Sequence, residues 1–413
     1  MRRIYFFVCI IVLCCINSAQ AHLPCPVNAR GVLQCDAEVK SSYKKSVSLH
    51  FDVNSREESY AARMLTKSLQ ERGYVINANS GDYSIKFFID KRGYDAEAFA
   101  IIPEGNVIKI IGGDYRGLIY GALSLSEDLR NEILLDNAVA RSEKPKLMLR
   151  AVKYDLPWDT YRHSEALNLH DETCRDPKYW EAFLDMMAEN RLNALSLWNL
   201  HPYPFMIIPK NYPEASPFTK EEFKEWQKLF QSIIGMAAER AIETYLIPFN
   251  IFVTPEFSVA HNVAMDNLDH HFYVRGETAQ IVKDYTRECV TQVLEEYPDL
   301  TGFGLTLGEG MAGMTPQERE AWMTETIIEG MRRANRPSKL VHRVPFSSTT
   351  ESLGNTSVET ERITRASIER EADMGFTEGP IFADFKFNWS HSLSTPKLIK
   401  VHGGPLYDCL LYT

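Results

Sequence analysis

Apolar and polar residues follow two different rhythms along this chain. In "VSLHFD", Val47, Leu49 and Phe51 alternate with polar neighbours, which predicts a strand. Ser55 and Glu58 then have the spacing of a capping box, and Ala61, Met64, Leu65, Ser68 and Leu69 mark one face of a helix ending at Gly73. Further strands are predicted at "YSIKFFI", "EAFAII" and "NVIKIIGG", and a second helix over about 116–130. The polar, proline-marked tract "DNAVARSEKPKL" sets a boundary near Leu147, so a small α/β domain is expected over 46–137.

Beyond that tract, strands and helices take turns. Predicted strands are "LRAVKYDL", "LNALSLWNL", "ETYLIPFNIF", "TGFGLTLG", "KLVHRVPF" and "IFADFKFN". Between them, Asp176 and Pro177 open one helix, Thr219 and Glu222 box another, a third runs through about 279–297, and Thr315, Pro316 and Glu318 start a fourth. Repeated βα units predict a parallel sheet, and this many favour a (β/α)8 TIM-type barrel over 148–413. The first strand lacks the Gly-rich turn that a dinucleotide-binding open sheet needs. Six strands are found by Asn388, with a seventh candidate at "GPLYDCLLYT", so the barrel is expected to be C-terminally incomplete.

Composition narrows the function. The chain of 413 residues carries a net charge of −10, and no basic stripe is present, which argues against a nucleic-acid partner. The first 21 residues, "MRRIYFFVCIIVLCCINSAQA", combine two arginines, an apolar run and a small-x-small end, the pattern of a signal peptide. The run is short for a bilayer span. A secreted or periplasmic protein without a transmembrane span is expected, with surface attachment through Cys14 or Cys15 as a variant of that reading. Of the remaining cysteines, Cys25 and Cys35 are close enough in sequence to bridge. Neither the cysteines nor the adjacent pair His270 and His271 has metal-ligand spacing, so no metal or cofactor is expected.

Barrel enzymes place their chemistry at the C-terminal ends of the strands. Here those ends carry Trp158, then Trp198, Asn199 and His201, then Asn250 and Glu256, then Glu309, then His342 and Arg343. The sixth strand alternates Asp384, Lys386 and Asn388 with apolar residues, placing three polar groups on one face. Glu309 stands between Gly308 and Gly310, which leave room for a ligand, and shares strand parity with Leu305 and Leu307. That parity is read as aiming its carboxylate at the barrel axis.

The segment "IKIIGGDYRGLIYGALSLSEDL" resembles the small α/β domain that precedes the barrel in glycoside hydrolase family 20 hexosaminidases and family 67 α-glucuronidases, and the domain order is the same. "PEFSVAH" is similar to the Pro-Glu…His segment after strand three of family 20, and "LTLGEG" sits where that family places its acid after strand four. The resemblance therefore implies a glycosidase with Glu309 as acid/base. Family 20 has an Asp immediately before that Glu, where this chain has Gly308, so the resemblance does not carry over the substrate's acetamido group as nucleophile. A second carboxylate is required in such chemistry; Asp384 is the first candidate and Glu256 the second. Trp158 and Trp198 are candidates to stack on a sugar, and Asn199, His201, Asn250, His342, Arg343, Lys386 and Asn388 to bind it. Arg343 and Lys386 suit a uronate carboxylate. The expected partner is an oligosaccharide or polysaccharide. The alternative is a non-catalytic carbohydrate-binding protein or an inactive truncated glycosidase.

Overall fold

The computed structural model describes residues 45–78, 80–160, 165–263, 279–307, 311, 313–344 and 358–385. The N-terminal unit is a six-stranded sheet in the order β2-β1-β3-β5-β4-β6. Its strands are β1 (Ser46–His50), β2 (Val75–Ile76), β3 (Tyr83–Ile89), β4 (Phe99–Glu104), β5 (Val107–Gly112) and β6 (Arg141–Glu143). β2, β1, β3 and β5 run parallel, whereas β4 pairs antiparallel with β5 and β6. Two helices, α1 (Arg56–Glu71) and α2 (Tyr115–Arg130), pack on each other beside the sheet. The five residues assigned to the inner face of α1 are all buried. Ser55 caps α1 by accepting from the Glu58 amide, but Glu58 turns away to accept from the amide of Asp52 at 2.7 Å, so only half of the predicted box forms. The tract read as a linker contains β6, which returns to close the sheet against β4.

Among the described residues the second unit is a six-stranded parallel (β/α) half-barrel. Its strands β7 (Ala151–Asp155), β8 (Ala194–Asn199), β9 (Glu243–Pro248), β10 (Gly302–Thr306), β11 (Lys339–Val344) and β12 (Phe382–Phe385) lie side by side in chain order, all parallel. Around them run α3 (Glu165–Arg175), α4 (Pro177–Glu189), α5 (Tyr203–Met206), α6 (Lys220–Glu239), α7 (Pro255–His261), α8 (Gln280–Glu296), α9 (Pro316–Met323), α10 (Glu329–Arg333) and α11 (Val358–Asp373). The capping boxes of Thr219 with Glu222 and of Thr315 with Glu318 both close, and Asp176 caps α4 ahead of Pro177. Among the described residues no helix is long and apolar enough to cross a membrane.

Period two along the strands splits the barrel's apolar residues into two sets. Leu195, Leu197, Leu246, Phe303, Leu305 and Leu340 belong to the cluster that packs under the helices. Trp198, Tyr245, Ile247 and Val341 form a separate inner cluster with Leu149 and Phe249. On β10 the inner position is Gly304, where a Cβ would come within 2.8 Å of Ile247. Glycine there lets neighbouring inner side chains close over the strand.

An ionic floor joins the two units. Glu97, in the left-handed region at φ 63°, accepts from Arg116 at 2.6 Å, Arg150 at 2.6 Å and Asn193 at 2.7 Å. Arg116, on α2, also reaches Glu243 at 3.3 Å at the start of β9, and Glu243 is bridged by Lys339 at 2.7 Å from the start of β11. Burial opposes charge at Arg116 and Glu243. Their mutual attraction and the Glu97 and Lys339 partners outweigh it, raising the Arg116 pKa and lowering that of Glu243. These groups lie at the N-terminal ends of the strands, the end that serves stability in barrels.

Candidate active site

The inner face of the barrel gathers Lys153 from β7, Ser196 and Trp198 from β8, Tyr245 and Ile247 from β9, Val341 from β11 and Asp384 from β12 around a small cavity of about 40 Å³. Register explains the grouping. Lys153 lies beside Ser196, Asp155 beside Trp198, and Arg343 beside Asp384. The Trp198 ring is the centre of the group. Lys153 Nζ lies 4.0 Å and Arg343 Cζ 5.3 Å from its centroid, both within cation–π range. The indole donates to Ser196 Oγ at 3.0 Å and meets Phe249 edge to face. Lys153 also pairs with Asp155 at 3.3 Å. Trp198, Arg343 and Asp384 are buried. The arrangement offers two cations and two carboxylates around one aromatic ring, near the C-terminal ends of the strands.

The remaining sequence candidates fall elsewhere. Trp158 packs under the helices against Trp226 at 4.9 Å, Phe230 and Phe205, so its faces are spent on the core and offer nothing to a sugar. Asn199 is buried and donates to the Trp158 carbonyl at 2.7 Å, fixing the turn after β7. His201 is buried against Tyr285, 2.8 Å from its hydroxyl, and burial pushes its pKa down to about 3. It is a neutral core histidine. His342 also faces the helices, since period two allows only one of the neighbours His342 and Arg343 to face the axis. It lies between Glu320 and Glu371, and although burial opposes its charge, these carboxylates lift its pKa to about 10. Asn250 is buried at the end of β9 and donates to the Thr306 carbonyl. Glu256 is exposed on the first turn of α7.

Glu309, Lys386 and Asn388 lie outside the described residues, as do the N-terminal segment and Cys25 and Cys35. On β10 itself Leu305 belongs to the helix-facing cluster and Gly304 holds the inner face; the strand ends at Thr306, so its alternation does not extend to Glu309. Cys174 and Cys289 are free and buried. Lys153 was missed by sequence reasoning although it carried a signal: it is a lysine in the interior of a parallel strand, two residues before Asp155 and so on the same face.

Asp159, just beyond β7, is a further titratable group at this end of the barrel. It adopts a left-handed φ of 52° and accepts from the His201 amide at 2.8 Å, while burial raises its pKa to about 7.

No protein-family model matches the chain, and no curated protein does either. Solved structures do match. A GH138 enzyme described as targeting pectin rhamnogalacturonan II aligns with a TM-score of 0.68 at 25% identity, over 83% of this chain and 38% of that one. The N-acetyl-β-hexosaminidase of Streptomyces plicatus gives 0.56 at 12% identity, over 89% of this chain and 80% of its own. The β-N-acetylhexosaminidase of Bacteroides fragilis gives 0.52 at 12% identity, over 83% and 70%. The chain thus has the two-domain fold of glycoside hydrolases of the family 20 type. It is also similar in sequence to the GH138 enzyme, of which it spans well under half the length.

Proposed function

We propose that this protein is a secreted glycoside hydrolase that cleaves a terminal acidic sugar from a polysaccharide. The observation that carries the reading is the pairing of Arg343 with Lys153 around the inward Trp198, beside Asp384 at the C-terminal ends of the strands. A guanidinium and an ammonium at the walls of a carbohydrate site suit a uronate, and an aromatic ring suits the apolar face of a pyranose. The similar GH138 enzyme is described as targeting a pectin, rhamnogalacturonan II. The N-terminal signal pattern supports export.

In this reading Glu309 protonates the leaving glycosidic oxygen and Asp384 is the second carboxylate. If Asp384 attacks the anomeric carbon, a glycosyl-enzyme forms and water later releases the sugar with retained configuration. If it instead activates water, one inverting step suffices. Carboxyl separations of about 5 Å and about 6.5–9.5 Å distinguish the two. The test is sugar release from aryl glycosides and pectic oligosaccharides, hexosaminides and neutral sugars included, by wild type, Glu309→Gln, Asp384→Asn and Arg343→Met. Loss of turnover in the two carboxylate variants, and loss of preference for uronides in Arg343→Met, is expected. Equal rates on neutral and uronic substrates would refute the acidic-sugar reading. Binding without release by the folded wild type would favour a carbohydrate-binding protein.

A further inference from the structure

Behind the barrel wall, on the helix side of β11, Glu320 of α9, His342 of β11 and Glu371 of α11 are all buried, and each can place one ligand atom within 4.8 Å of the other two. Two carboxylates face one imidazole, and among the described residues no lysine or arginine pairs with either acid. Nδ1–H of His342 donates to Glu371 Oε2 at 2.9 Å, and Thr364 Oγ1 donates to Glu320 Oε1 at 2.5 Å. That leaves three buried atoms without an aligned hydrogen-bond partner, namely His342 Nε2, Glu320 Oε2 and Glu371 Oε1. Unsatisfied buried polar atoms are costly, and a carboxylate oxygen especially so.

The distance between two of these atoms is informative. His342 Nε2 and Glu320 Oε2 are 3.1 Å apart, an ion-pair contact that falls short of a well-aligned hydrogen bond. Two ligands bound to one ion at about 2.0–2.2 Å, with an angle between 90° and tetrahedral, lie roughly 2.8–3.6 Å apart.

We infer that Glu320, His342 and Glu371 form a binding site for a divalent transition cation of the Zn²⁺ or Mn²⁺ kind. One nitrogen and two oxygens fit these borderline-to-hard ions. The site is structural, since it is walled off from the barrel interior. The ion pins α9 and α11 to β11 and so stiffens the strand that carries Arg343 on its other face.

The experiment uses the full chain without a polyhistidine tag, stripped with chelator, desalted, and exposed to Zn²⁺ or Mn²⁺ alone. Metal content is read by mass spectrometry and thermal unfolding by calorimetry. The wild type is expected to retain about one ion per chain and to melt at a higher temperature with it. Glu320→Gln, of equal shape, and Glu371→Gln are expected to weaken retention tenfold or more. If His342→Gln fails to fold, these two variants and the wild-type stoichiometry still decide. No retained ion in a folded wild type, equal retention in both Gln variants, or a ¹⁵N spectrum showing both His342 nitrogens protonated in the metal-exposed protein would each overturn the assignment.

Discussion

Removing the carboxylate of Glu97 tests whether the two units are held by charge. In the wild type it receives Arg116, Arg150 and Asn193 within 2.6–2.7 Å and is 8% exposed. Glu97→Gln keeps the shape but leaves two guanidinium groups short of their anion. Breaking a buried ion pair costs about 3–5 kcal/mol. Here the lower end applies, because Arg116 retains Glu243 at 3.3 Å and the Ala241 carbonyl at 2.7 Å, and Arg150 retains Tyr120 at 2.8 Å. The expected loss is therefore about 3 kcal/mol. The assay is urea unfolding followed two ways. All six tryptophans lie beyond residue 147, so fluorescence reports the barrel alone while far-ultraviolet circular dichroism reports both units. The variant should show a lower midpoint, with the two signals separating. A loss below about 1 kcal/mol with coincident transitions would refute the argument, since that is the worth of an ordinary surface pair.

The other outcomes can be checked with single substitutions. Trp158→Leu should lower stability by about 2–4 kcal/mol without changing KM, whereas Trp198→Leu should raise KM for any sugar the protein cleaves; the reverse pattern in steady-state kinetics would move the stacking residue back to Trp158. Asp159 binds its proton more tightly folded than unfolded, so its contribution is fully present below about pH 4 and is lost as pH rises to about 7. Asp159→Asn should flatten that part of a stability-versus-pH curve, and an unchanged slope would count against the burial argument. Gly304→Val should cost about 1–3 kcal/mol by overpacking Ile247 and Val341. Gly235→Ala, on α6 with open space at the Cβ, should raise stability by about 0.5–1 kcal/mol in the same denaturation series.

Much of the fold was legible because each barrel strand is a short apolar run between well-marked helix starts. Asp176, Thr219 and Thr315 announced α4, α6 and α9 through side-chain chemistry that needs no tertiary context. What sequence could not show was which side of a strand faces the axis. A parallel strand covered on both faces is apolar on both, so Leu305 and Leu307 carried no label distinguishing helix layer from interior. Polar residues could have served as that label. Lys153, Ser196, Arg343 and Asp384 occupy matched register positions, and pairing the strands on those residues would have placed His342 outward and Trp198 inward. The short elements β2, β6 and α5 were invisible for another reason: two to four residues hold too little pattern to register against their surroundings. The cluster of Glu320, His342 and Glu371 comes from three separate elements, so no local spacing could reveal it.

The floor of ions beneath the barrel has a consequence for any attempt to transplant one half of this molecule. Glu97 belongs to the small unit, yet it neutralises Arg150, which leads into β7, while Arg116 of the small unit helps to neutralise Glu243 of β9. Each half thus holds one partner of its own and borrows another: Glu97 has Arg116 beside it and Arg150 across the seam, and Glu243 has Lys339 beside it and Arg116 across the seam. Excising the barrel would strip Arg150 of its anion and reduce the cations around Glu243 to Lys339, so a free-standing barrel would need redesigned charge at residues 150 and 243. A chimera would succeed only with a donor whose small domain presents the same sign pattern at the same places. Compatibility between halves is then a matter of matched electrostatics before it is one of shape.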